Sequence, residues 1–385
     1  MTEDDLTLKA GCTCFLSGHR TRRPDEWLRD MAAMPSARQP ADFYGQSGAV
    51  AELEARTAAL LGKEKGLFVI KGVIAQLTLL KTCSQRAGTA NVAIHPLSHI
   101  DMDEGGAIER VAALAPVRIG RFAPFGPAEL DAVTDRLAAV VVELPLRRAG
   151  YALPPLAELH ALSQHCRARG IHLHFDGARI WEAAAGYGVG LAELAALADS
   201  VYVSFYKGLG GPGGAVLAGS EALLGALRDW KGRFGGNLFT AFPFALGGLA
   251  GLDRHLPRMA EYVSRARGLA AALDRRLVVN PATPQVNAFQ LFLPGAPAEW
   301  AARNRDFART SGIWMFNAFG DAPLAGHTTA EIVIGDTSDD HRVEEAVEWI
   351  AAFAAMGGAA PQGCAAISGA APQGGAAIGD AAPQG

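Results

Sequence analysis

Two side chains in this sequence have a type and setting that point to chemistry. Asp176 lies in His172-Leu-His-Phe-Asp-Gly-Ala-Arg-Ile180, and Lys207 lies in Ser204-Phe-Tyr-Lys-Gly-Leu-Gly-Gly-Pro-Gly-Gly214. A carboxylate and an amine act together only where the fold brings them together, so the elements around them decide the matter. Ile171 to Phe175 is a β-branched and aromatic run that reads as a buried strand ending at Asp176. Ser200 to Tyr206 alternates, is rich in aromatics and ends at Lys207 before a glycine-rich loop. Between them, Trp181 to Leu197 carries Ala and Leu at helical spacing. Strand, helix and strand form a βαβ unit, which sets both groups at the carboxyl ends of neighbouring parallel strands, where open α/β sheets bind their ligands.

A lysine and an aspartate so placed suit pyridoxal 5'-phosphate. That cofactor needs an amine for its aldehyde and a carboxylate to keep its ring nitrogen protonated, which makes the ring an electron sink. Spacing alone leaves a plainer alternative open: a surface lysine beside a turn, and an aspartate that caps the next helix. His172, His174 and Asp176 share one strand face as possible metal ligands, but a zinc site wants further ligands at proper spacing, and none is expected. Cys12 and Cys14 form a lone C-x-C without a partner pair. Gly208 to Gly213 formally reads G-x-G-x-x-G, yet Pro212 interrupts it and a strand-like Ala215-Val-Leu-Ala follows where a dinucleotide motif opens a helix. These glycines are better explained as room for close approach to Lys207.

At 385 residues and 50% hydrophobic content, the chain can bury a large domain and a smaller one. Its net charge of −4 is scattered, so no basic patch argues for nucleic acid. No apolar run reaches the ~18 residues of a membrane span. Five cysteines without framework spacing fit reduced thiols in a cytoplasm.

Other segments join the two fixtures in a shared order. Asp42-Phe-Tyr-Gly45 precedes a helix ending in Gly62-Lys-Glu64, and Ser98-His99 precedes Glu104-Gly-Gly-Ala107. With HFDGARI and SFYKGLGGPGGAVLAG, these stretches resemble the threonine aldolase and β-eliminating lyase family over most of residues 15–350. The resemblance implies an α/β protein of fold type I: a large domain with a mostly parallel sheet flanked by helices, and a smaller C-terminal α/β domain. The boundaries expected are an arm at 1–45, a cofactor domain at 46–250, a small domain at 251–356, and a disordered tail at 357–385. In that tail Ala-Ala-Pro-Gln-Gly recurs at 359–363, 370–374 and 381–385, and small residues with Pro and Gly cannot bury a core. A helix is expected over Ala250 to Leu277 and another over Trp181 to Leu197.

The resemblance also assigns roles. Lys207 holds the cofactor aldehyde, Asp176 the ring nitrogen, and His99 stacks on the ring and moves protons, for which a flat ring titrating near neutrality is suited. The strand-to-helix junction Lys71-Gly72-Val73 holds the phosphate at a helix N-terminus, with Lys71 standing in for a hydroxyl that Val73 lacks. Ser204 and Lys231 complete the cofactor set, Lys231 from across a dimer interface. Arg179 and Tyr44 receive the substrate, Arg179 by its carboxylate. A second carboxylate-binding arginine aligns with Glu331, which reverses the charge, so Arg20 or Arg22 is expected to serve instead. The reaction implied is cleavage of a β-hydroxy-α-amino acid, threonine-like, to glycine and an aldehyde by a homodimer or homotetramer. β-Elimination on a related amino acid, and cofactor binding without turnover, are the alternatives.

Overall fold

The computed structural model describes residues 2–273 and 277–355. The expected repeat tail at 357–385 lies outside the described residues. In chain order the strands are β1 (Cys14–Phe15), β2 (Lys65–Val69), β3 (Asn91–Ile94), β4 (Ala115–Arg118), β5 (Ala139–Glu143), β6 (His172–Asp176), β7 (Ser200–Ser204), β8 (Ala215–Gly219), β9 (Val278–Asn280), β10 (Ala288–Pro294), β11 (Ile313–Trp314), β12 (Phe319–Asp321) and β13 (His327–Val333).

Seven of them form one sheet in the order β2-β8-β7-β6-β5-β3-β4. Only β8 runs against its two neighbours; the remaining pairings are parallel. Every residue of β5, β7 and β8 is buried, which is why those stretches read as continuous apolar runs. Alternate residues feed two cores. Val140, Leu173, Val201 and Val216 pack on one side, while Val92, Val141, Tyr202 and Leu217 pack on the other. Because β2, β3, β5, β6 and β7 point the same way, their carboxyl ends share one edge of the sheet. Lys71, His99, Glu143, Asp176 and Lys207 all follow or end those strands.

Two helices differ from the sequence reading. The stretch 181–197 is two helices, Ile180–Tyr187 and Leu191–Ala195, because Gly188 takes a left-handed φ of 72° and ends the first. The stretch 250–277 holds the end of Phe242–Arg254 and then Met259–Ala272, separated by a 3-10 turn containing Pro257, which cannot continue a helix.

A second sheet, β12-β13-β10-β9, is antiparallel and follows the large one in the chain. Its aromatic core joins Trp300, Phe307, Phe316 and Phe353. The first residues of the chain are tied here: β1 lies parallel to β11, with Cys14 opposite Ile313. β13 alternates buried and half-buried residues, so Glu331 points away from this core.

Candidate active site

At the shared strand edge a cleft of about 110 Å³ is lined by Lys71, Gly72, Val73, His99, Asp176 and Lys207, with Gln76, Asp103, Glu104, Tyr202 and Tyr206 completing the wall. Six residues singled out in the sequence therefore meet in one place.

Lys207 follows β7 and begins a tight turn, in which the Gly210 amide donates to the Lys207 carbonyl at 2.9 Å. Burial, and then the Arg179 guanidinium, hold its amine well below the ordinary lysine value, with Asp176 opposing. Asp176 ends β6, is 4% exposed, and accepts from the Ala178 amide at 3.3 Å. A Cβ at Gly208 would lie 2.0 Å from the buried carboxyl of Glu182, so a larger residue there would have to displace that side chain.

His99 is fixed from two directions. Its amide donates to Glu143 at 2.7 Å, and Nδ1 lies 3.2 Å from Glu104. Glu104 raises the His99 pKa through that hydrogen bond, while burial raises the pKa of Glu104 itself. The two shifts agree on one physical picture, in which the pair retains its shared proton. Nε2 of His99 has no partner among the described residues and is left for a ligand. Glu143 sits opposite Asp176 in register, and burial followed by Asp176 pushes its carboxyl up.

The junction after β2 is shaped to admit a group at a helix end. Gly72 opens the helix Gly72–Ala87, and Lys71 at its N-cap makes no side-chain capping bond. A Cβ on Gly72 would lie 2.5 Å from the Tyr202 hydroxyl, so only glycine lets helix and phenol approach this closely. Gln76, one turn on, is held by His174, whose Nε2 lies 3.1 Å from its Oε1. The Gln76 Nε2 atom is buried with no partner among the described residues. His172 and His174 both turn to Ser200 Oγ at 2.8 Å, so they brace the sheet and do not join Asp176 as ligands.

Several expected residues lie elsewhere. Ser204 ends β7 with a buried Oγ and lies outside the cleft lining. Tyr44 and Lys231 line a separate hollow of about 260 Å³ with Glu54 and Arg228. Arg179 is close enough to influence Lys207, but its guanidinium rests 5.3 Å from the Tyr151 ring. Arg20 is committed to Asp340 at 2.5 Å, and Arg22 to Asp30 and the Trp27 ring, so neither replaces the missing arginine. The cation the sequence reading did not assign is Arg147. Its Nε and Nη2 reach Glu331 at 3.1 and 2.8 Å in a hollow of about 350 Å³ that Ser17, Gln290 and Phe319 also line. Its amide donates to Glu143 at 3.2 Å, and its charge also acts on Lys207.

The donor set fits pyridoxal phosphate: a buried amine of low basicity, a buried carboxylate, a flat ring on a carboxylate support, and an uncapped helix N-terminus beside an unpartnered amide. Comparison with known proteins agrees. The sequence pattern of the β-eliminating lyase family matches residues 25–294. A low-specificity L-threonine aldolase from Arabidopsis thaliana is 26% identical over 300-odd aligned positions, 308 in all, covering 76% of this chain and 85% of that protein. Among solved structures, one assigned as an aromatic amino acid β-eliminating lyase or threonine aldolase from Exiguobacterium is 31% identical, with a TM-score of 0.82 and coverage of 89% and 97%. One assigned as an L-allo-threonine aldolase from Listeria monocytogenes is 29% identical with the same TM-score, covering 89% of this chain and 96% of its own.

Proposed function

The chain belongs to the β-eliminating lyase family, and from that premise we propose that it is a pyridoxal-phosphate-dependent aldolase that cleaves threonine-like β-hydroxy-α-amino acids to glycine and an aldehyde. The observation that carries the reading is the convergence of Lys207, Asp176 and His99 in one cleft with an amine of lowered basicity. Lys207 would hold the cofactor's aldehyde, Asp176 its ring nitrogen, and Gly72, Val73, Gln76 and Lys71 its phosphate. When bound, pyridoxal phosphate supplies the electron-poor ring that accepts the electron pair of the broken Cα–Cβ bond.

The chain's own residues do the rest. The lowered pKa of Lys207 keeps a fraction of its amine neutral, and so nucleophilic, near neutral pH. His99 takes the β-hydroxyl proton at Nε2, and Glu104 on Nδ1 stabilises the imidazolium that results. Arg179 and Arg147 receive the substrate carboxylate; Arg147 replaces the arginine whose place Glu331 occupies, and Glu331 orients it.

Cys12, Cys83 and Cys166 are buried and free, but Cys14 is disulfide-bonded, so the expectation that all the cysteines are reduced thiols does not hold. No helix among the described residues is long and apolar enough to cross a membrane. Purified protein supplied with cofactor and threonine should yield glycine and acetaldehyde. 2-Oxobutanoate and ammonia in their place would assign it to elimination, and no product across a panel of β-hydroxy amino acids would leave a binding protein.

A further inference from the structure

Away from the cleft, three side chains of metal-binding type converge from distant parts of the chain. His19 comes from the N-terminal segment, His255 from the end of the helix Phe242–Arg254, and Asp336 from the turn after β13. One ligand atom from each lies within 4.8 Å of the others, the only such group among the described residues. We propose that they bind a divalent transition-metal ion, with Zn2+ the first expectation for a two-imidazole, one-carboxylate set.

The hydrogen bonds around the two rings carry the argument. His19 Nε2 lies 2.9 Å from the Gly208 carbonyl, and His255 Nδ1 lies 3.1 Å from the Tyr262 hydroxyl. Metal-ligating histidines are fixed in this way through their second nitrogen. A carbonyl only accepts, so Nε2 of His19 carries hydrogen. Its Nδ1 then turns a lone pair toward Asp336 Oδ1 at 3.3 Å, and the Asp336 amide, at 3.4 Å, is a long and weak donor to it. A positive centre between ring and carboxylate resolves the conflict. A second proton on His19 would serve those two groups alone. It would not engage Nε2 of His255, whose ring is held through Nδ1 alone among the described residues. A metal ion uses all three.

Arg20 leaves room for it. Its amide donates to Asp336 Oδ1 at 2.8 Å, but its guanidinium stands off at 3.9 Å and is committed to Asp340. The consequence reaches the active site, because His19 grips the carbonyl of Gly208, next to Lys207. An ion here clamps the N-terminal segment and the turn after β13 onto the loop that carries the reactive amine.

The test is metal content of the cofactor-loaded protein after dialysis into metal-free buffer and re-titration with Zn2+ or Co2+. We expect one ion per chain, Co2+ producing visible ligand-field bands, and a loss of affinity of roughly tenfold or more in His19→Gln, His255→Gln and Asp336→Asn. Circular dichroism confirms folding. Should the buried His255→Gln variant fail to fold, the other two, at part-exposed positions, decide the matter. A folded wild-type protein that titrates with neither Zn2+ nor Co2+ overturns the proposal and leaves a second proton on His19 as the link. Metal affinity unchanged in both His19→Gln and Asp336→Asn also overturns it.

Discussion

Lys207 is held where a lysine is least comfortable. Burial pushes its amine down to about 8, against an ordinary value near 10.4. Between those values the unfolded chain binds a proton that the folded chain has released. Stability of the cofactor-free protein therefore rises with pH across that window, and the full penalty is felt below about 8. The penalty is on the order of 3 kcal/mol, since each pKa unit is about 1.4 kcal/mol. Lys207→Met removes the amine and keeps the bulk. We predict that the cofactor-free variant resists urea better than the wild type near pH 7, by up to roughly 3 kcal/mol, and that the curves converge toward pH 10. Equal stability near pH 7 would mean that the amine escapes its burial cost. The same variant should lose turnover entirely, so stability and activity move in opposite directions at this residue.

At the scale of elements, the helix Gly72–Ala87 is the part most exposed to a single change. Its first turn offers amides to an anion, and the N-cap Lys71 brings charge without capping the helix. A methyl group at position 72 would lie 2.5 Å from the Tyr202 hydroxyl, so either the phenol or the helix end must move. Gly72→Ala should weaken cofactor affinity by about tenfold or more, as should Lys71→Ala, ~1.4 kcal/mol being one decade. Equilibrium titration with far-ultraviolet dichroism checks both, and an unchanged Kd in both variants would move the phosphate elsewhere. This junction was legible in the sequence because a strand, a glycine and an amphipathic run follow one another locally. So were Asp176 and Lys207, each at the end of an apolar run that only a fully covered sheet tolerates. Other features had no local trace. Gly188 ends a helix that its Ala and Leu spacing would have continued. The Arg147–Glu331 pair joins residues 184 apart in sequence, so no window of sequence contains it. His19 sits in a stretch whose companions, His255 and Asp336, come more than two hundred residues later.

Over the whole molecule, the large sheet and the later antiparallel one meet at Arg147, and here a test of the substrate site belongs. Arg147→Ala should raise KM for the amino acid by roughly tenfold or more with a smaller change in kcat, because a charged hydrogen bond to a carboxylate is worth about 1.5–3 kcal/mol. An unaltered KM would leave Arg179 alone with the carboxylate. Beyond the single chain, Lys231 and Tyr44 face a hollow separate from the cleft, and the surface beside it is unusual. Phe43, Tyr44 and Phe239 are 59%, 48% and 62% exposed, yet their rings pack edge to face at 4.8 to 5.6 Å. The Tyr44 amide donates to the Phe239 carbonyl at 2.9 Å, which fixes the two loops together. We propose that this ordered aromatic cluster, held out into water, is a surface that a second copy of this chain covers. That occupant would account for Lys231 as well: Lys231 is buried beside the cluster, and in a homodimer its charge would face the partner's cofactor phosphate. Phe239→Asp places a charge at the centre of that contact and touches nothing in the cleft. Light scattering should show wild-type dimers or tetramers, and the variant as smaller species with weaker cofactor affinity. Lys231→Ala should lose affinity while keeping its size. A wild-type protein that is monomeric and binds cofactor tightly would sink the assignment and return Lys231 to a structural role with Glu54.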